Sequence, residues 1–162
     1  MRYIVDGYNV INASDIFVDK TLEGRRNKLF DFILNNSSIG GSKNKITIVF
    51  DCKTKNPYES AGYGKETRGN IEVIFSDGKT IADDIIVQIV DESQKPYEIT
   101  IITSDKGIWH RTAPSGAKHI KSEDFIAKHK IRATKIEESD SSRYLANKIN
   151  KEFENLWLSK QR

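Results

Sequence analysis

Strand-length apolar runs that alternate with helical patterns, and that close on an aspartate, most constrain how this chain folds. Ile46-Thr47-Ile48-Val49-Phe50 is β-branched and continuously apolar, as the central strands of a parallel sheet are, because helices cover both faces. Residues 2–6 and Glu98 to Thr103 read the same way, and Asp6, Asp51 and Asp105 stand at the ends of these runs. Leu22, Leu29, Phe30, Ile33 and Leu34 recur at helical spacing, so a helix is expected over 21–36, stopped by Asn35-Asn36-Ser37-Ser38 and Gly40-Gly41. A third strand is expected at Ile71–Phe75, a turn at Ser76–Lys79, a helix over 81–93, and a short fifth strand ending near Ile120. A helix over 122–130 and a last one over 141–159, with Leu145, Ile149, Phe153, Leu156 and Trp157 on one face, complete the pattern. The β-α-β-β-α-β order predicts an α/β fold, a three-layer α/β/α sandwich on a mainly parallel central sheet. Ligand chemistry in such a sheet sits outside the C-terminal ends of the strands.

At 162 residues the chain is expected to form one domain, 1–162, with 136–162 as a C-terminal helical extension. No apolar stretch approaches the ~20 residues that cross a bilayer. One arginine precedes the first strand, which leaves no room for a signal peptide. The single cysteine, Cys52, rules out an internal disulfide and a cysteine zinc cage. These features predict a cytoplasmic protein without a membrane partner, monomeric or weakly dimeric. Charge is uneven. Residues 1–105 carry 13 Lys/Arg against 16 Asp/Glu, and residues 106–162 carry 13 against 7. An acidic pocket beside a basic surface suits a polyanion that is gripped and brought to a metal, although lysine-rich helices also serve as plain solvated faces.

Four acids arriving at one sheet edge from separate segments repel each other unless a cation holds them. Asp6 ends an apolar strand and is costly to bury without a partner; Gly7 after it lets the chain turn and a ligand approach. Asp105, after Thr103-Ser104, has the same placement. Asp83 and Asp84 open the helix over 81–93. Thr80-x-x-Asp83 is a capping-box pattern, with Thr80 as N-cap. At ~100° per residue, Ala82, Ile85, Ile86, Ile89 and Val90 centre the buried face, which puts Asp83 on its rim and Asp84 opposite it. Asp6, Asp83 and Asp105 are therefore the expected catalytic acids and metal ligands, with Asp51 as a fourth ligand unless the following loop turns it away. Asn9, Asp84 and Ser104 are supporting candidates: Asn9 either enters the metal shell or contacts phosphate, or caps the local turn. Carboxylates without Cys or His companions favour Mg²⁺ or Mn²⁺ over zinc. His110, His119 and His129 lack ligand spacing and read as surface groups or nucleic-acid contacts. Residues 52–70 lack periodicity and are expected to be a long loop. Its Lys53, Lys55, Lys65 and Arg68, with Tyr58 and Tyr63 between them, are candidate nucleic-acid contacts, and Lys106 a candidate phosphate contact.

Val5-Asp6-Gly7-Tyr8-Asn9-Val10-Ile11, Val49-Phe50-Asp51, Ala82-Asp83-Asp84 and Thr103-Ser104-Asp105 together resemble the NYN domains, relatives of PIN-domain nucleases, and in particular the bacterial YacP-like branch. Glu23 and Arg26, Val73-Ile74-Phe75, Gly116-Ala117 and Lys121-Ser122 add to the resemblance, which covers about residues 2–130. It implies a PIN-like fold and a metal-dependent RNA endonuclease, with Asp6, Asp83 and Asp105 as core acids and Asn9 and Asp51 near them. Ile81 between Thr80 and Ala82 departs from the family's unbroken Thr-Ala-Asp. The RNA partner is expected to be free or ribosome-bound. Two other readings compete. A non-catalytic RNA-binding module would keep the acids and cleave nothing. A receiver-like phospho-acceptor would use Asp6, Asp51 and Lys106, but Gly7 stands where its second acid belongs.

Overall fold

The computed structural model describes residues 1–35, 39, 41, 43–51, 65–76 and 80–129. The expected loop contacts Lys53, Lys55, Tyr58 and Tyr63, the C-terminal extension over 136–162 and most of the turn after Ser76 lie outside these residues.

Six strands form one sheet: β1 (Arg2–Asp6), β2 (Lys45–Phe50), β3 (Lys65–Arg68), β4 (Ile71–Phe75), β5 (Ile99–Ile102) and β6 (Lys118–Ile120). Their order is β3-β4-β2-β1-β5-β6. Five of them run parallel, with β1 in the middle: Val5 stands opposite Ile48 of β2 and Ile102 of β5. Helices α1 (Gly7–Asn12), α2 (Leu22–Leu34), α3 (Ala82–Asp91) and α4 (Lys106–Thr112), and α5 over 122–129, connect or follow them. The chain divides after Ile126, and the unit Met1–Ile126 contains the whole sheet.

Side chains alternate across the sheet, as a pleated strand requires. Val5, Ile46, Ile48 and Phe50 point to one face, where Val10, Leu29, Phe30, Ile33, Phe125 and Ile126 cover them. Ile4, Val49, Ile99 and Ile101 point to the other, under Ala82, Ile86, Val90 and Ile108. Burial on both faces is why these strands read as continuous apolar runs, and it produces the expected α/β/α sandwich.

Three elements differ from the expectation. The aperiodic stretch over 52–70 ends in a strand: β3 pairs antiparallel with β4, turning at Gly69 (φ 63°) and Asn70. Lys-Glu-Thr-Arg has no apolar face, so only its neighbour and the glycine turn specify it; a charged edge strand also resists pairing with other chains. Helices α1 and α4, of six and seven residues, are too short for a helical period to show. Among the described residues no helix is long and apolar enough to cross a membrane.

Candidate active site

Asp6 is the last residue of β1 and Asp105 lies three residues past β5, and each caps the helix that follows. The Asp6 carboxylate accepts the Asn9 backbone N–H at 3.3 Å through Oδ1, which starts α1. The Asp105 Oδ1 accepts the N–H of Gly107 at 2.6 Å and of Ile108 at 3.4 Å, which starts α4. A carboxylate at a helix N-terminus satisfies donors the helix leaves open and meets the positive end of its dipole. The sheet thus delivers both acids to its C-terminal edge, and the two caps fix their side chains there.

Thr103 joins the two. Its buried hydroxyl donates to Asp6 Oδ2 at 2.9 Å and accepts the Asp105 N–H at 3.1 Å. The Trp109 indole N–H donates to the Thr103 carbonyl at 3.0 Å and pins the same turn. The Asn9 side-chain oxygen accepts the Ser104 N–H at 2.9 Å and the Ser122 hydroxyl at 2.6 Å. Ser104 Oγ in turn donates to Glu123 and accepts the Ser122 N–H at 3.0 Å. Asn9 and Ser104 therefore tie α1, the end of β5 and the start of α5 into one frame beneath the acids. The Ser104 hydroxyl draws the Glu123 carboxyl below its ordinary range. Sequence reasoning missed Thr103 as the bridge, took Ser122 only as part of the resemblance, and missed Glu123 altogether. The Thr103-Ser104-Asp105 run signals the first; nothing local gives Ser122 or Glu123 its contacts, which arise only through tertiary packing.

Gly7 has a different reason from the one expected. A Cβ there would lie 2.3 Å from the Phe50 ring, so aromatic packing fills the space beside the turn. His119 is not a surface group either: it is half-buried, 2.7 Å from the Thr112 hydroxyl, and burial pushes its pKa down. His129 is buried.

The capping box at Thr80 does not form. Ile81 is the N-cap of α3 and makes no side-chain cap bond, so Asp83 falls at the second helical position, half-buried and near Asp105 and Asp51. Val87 joins Ala82, Ile86 and Val90 in the buried face, which turns that face toward Asp83. Asp84 points away and pairs with Arg111 of α4 at 2.7 Å, both half-exposed. Asp51 accepts the hydroxyl of the buried Ser76 at 3.0 Å, linking the ends of β2 and β4. Lys106 opens α4, exposed, next to Asp105. Lys65 and Arg68 belong to β3 at the sheet edge beside β4.

The acids sense one another. Burial pushes the Asp6 pKa up to about 6, against the pull of its hydrogen bonds with Thr103 and Asn9, and the charges of Asp83 and Asp105 raise it further. Asp83 is also raised, first by burial, then by Asp105, with Asp51 and Asp84 adding and Arg111 opposing. Asp83 thus links the sequence-predicted acids, standing near Asp6 and Asp105 and also near Asp51 and Asp84. Among the described residues, however, no three Asp, Glu, His or Cys side chains stand together at metal-holding separation. The donor set is all carboxylate oxygen, the chemistry Mg²⁺ and Mn²⁺ prefer.

A parallel α/β/α sandwich with carboxylates at the ends of β1, β2 and β5 and at the start of α3 has the form of a PIN-like domain. The sequence model of the YacP-like NYN domain matches residues 3–161, and the chain belongs to that family. NYN domains are generally RNA-cleaving nuclease domains. Among solved structures, Rae1 (YacP) from Bacillus subtilis is similar at 22% identity and a TM-score of 0.62, over 95% of this chain and 92% of that one. Its W164L mutant is similar at 22% identity and a TM-score of 0.63, over 85% and 79%. These likenesses establish the fold. No curated protein sequence matches the chain.

Proposed function

We propose that this chain is an endoribonuclease that hydrolyses RNA phosphodiester bonds with the help of a carboxylate-bound Mg²⁺ or Mn²⁺. The observation that carries the reading is the placement of Asp6, Asp51, Asp83 and Asp105, four acids from separate segments at one sheet edge, with Asp6 and Asp83 both raised by burial and by their acidic neighbours. Repulsion among them is a cost unless they serve a cation or a proton transfer. Asp6, Asp83 and Asp105 would hold the ion, with Asp51 beside them. A bound ion of this kind lowers the pKa of a coordinated water and stabilises charge on phosphate. The chain's own groups do the rest. Asp6, held by Thr103 and Asn9, presents a fixed acceptor. Asp105 is oriented by its helix cap. Lys106, Lys65, Arg68 and the basic C-terminal part supply charge for the RNA backbone, whether the RNA is free or ribosome-bound, in the cytoplasm.

The competing reading is an RNA-binding module that keeps the acids and cleaves nothing. A circular single-stranded RNA separates the two. The nuclease reading predicts linear fragments with Mg²⁺ or Mn²⁺ and none with EDTA; the module would retain the circle on the protein, intact, under every condition.

A further inference from the structure

Arg26 of α2 lies against three aromatic rings, with its guanidinium carbon 4.9 Å from the centre of Phe75, 5.3 Å from that of Phe50 and 5.5 Å from that of Tyr8. The rings pack on each other: Phe50 and Phe75 are stacked at 5.5 Å, and Tyr8 is tilted against Phe50 at 5.1 Å. Arg26 Nε donates to the Tyr8 hydroxyl oxygen at 2.9 Å, and Nη2 donates to the same atom. The side chain is half-buried. Arg111, by contrast, has Asp84 as its counter-charge. No carboxylate among the described residues pairs with Arg26. Aromatic faces strip water from a guanidinium but leave its in-plane donors free to bind. Tyr8 engages only one edge of that fork, with a neutral oxygen. The result is a preorganised, partly desolvated positive charge that no carboxylate among the described residues neutralises, and the other edge of its fork matches a phosphate.

Its neighbours place it in the chain of site residues. Tyr8 follows Asp6 by two positions on α1, while Phe50 and Phe75 are the last residues of β2 and β4. The next two residues, Asp51 and Ser76, are bonded to each other. We propose that Arg26, held by Tyr8, Phe50 and Phe75, binds a backbone phosphate of the RNA strand at the acid-bearing edge of the sheet. The inference rests on RNA being the substrate, as proposed above.

The test is equilibrium binding of a labelled single-stranded RNA to the full chain carrying Asp6→Asn, across a salt series, with thermal melts alongside. Adding Arg26→Gln should weaken binding roughly tenfold and reduce the slope of log K against log salt by about 0.7, the value for one phosphate on a single strand. Arg26→Lys should restore the slope and bind severalfold more weakly than arginine, because a point charge replaces the fork. A folded Arg26→Gln protein with a lowered melting temperature but unchanged affinity and slope would make Arg26 a packing residue and overturn the proposal. So would failure of the Arg26-containing protein to bind RNA. If Arg26→Gln does not fold, Arg26→Lys decides: severalfold weaker binding supports the site, and undiminished affinity overturns it. Arg26-dependent binding in a chain whose wild type cleaves nothing would sink the nuclease reading alone.

Discussion

At the scale of single residues, Asp6 carries a conflict that can be measured. Its folded-state pKa is raised to about 6 from an ordinary value of 3.8. A raised carboxylate pKa means that the folded state prefers the protonated form. The stability contributed by that preference is present below about pH 4 and is lost as pH rises through about 6. Two units correspond to about 3 kcal/mol. Asp6→Asn keeps an acceptor for the Asn9 N–H without the charge. It should therefore stabilise the metal-free protein by about 1–3 kcal/mol at pH 8 and by almost nothing near pH 4. Chemical denaturation at both pH values checks this, and equal effects at the two would show that Asp6 is not strained by its surroundings. Gly7→Ala tests the neighbouring contact. A methyl 2.3 Å from the Phe50 ring forces the ring or the turn to move, and a loss of about 1–3 kcal/mol is expected in the same denaturation experiment. An unchanged midpoint would mean that the ring yields freely.

Among elements, the pair of helices α3 and α4 gives two adjacent acids different surroundings, with Asp84 paired to Arg111. Asp83→Asn should lower RNA cleavage at least tenfold with little change in melting temperature. Asp84→Asn breaks a half-exposed ion pair with Arg111, which costs about 0.2–1 kcal/mol, and should leave cleavage within about threefold. Parallel kinetics on the two variants decide, and equal losses would remove the distinction. Helical periodicity alone placed Asp83 nearer the core than Asp84, and the ion pair of Asp84 agrees with that. The strands around Ile4, Ile48 and Ile101 were equally legible, since burial on both faces leaves a continuous apolar run. The short α1 and α4 were not, because six or seven residues hold too little of a period. Their Asp caps were in view but served equally well as strand-end acids. β3 was illegible for another reason: its specification lies in β4 and in the turn at Gly69. Asn9, Ser104, Ser122 and Glu123 form a frame from residues far apart in sequence, and only the folded chain joins them.

For the whole molecule, the proposed function assigns chemistry to the acids in residues 1–105 and grip to the basic excess in the sequence after them. RNA affinity should accordingly fall steeply with salt, while the variants at the acids change cleavage far more than binding. Asp105→Asn is the variant that isolates the chemistry. Asparagine is as good an N-cap as aspartate, so α4 and the fold should persist. The central claim is that the strand-end acids form one metal-dependent cleavage site, and the direct measurement is single-turnover cleavage of one labelled RNA in Mn²⁺, at saturating protein, by wild type and by Asp105→Asn. A rate at least a hundredfold lower in the variant, with RNA affinity and melting temperature maintained, is the predicted result; equal rates in the two proteins would contradict the account.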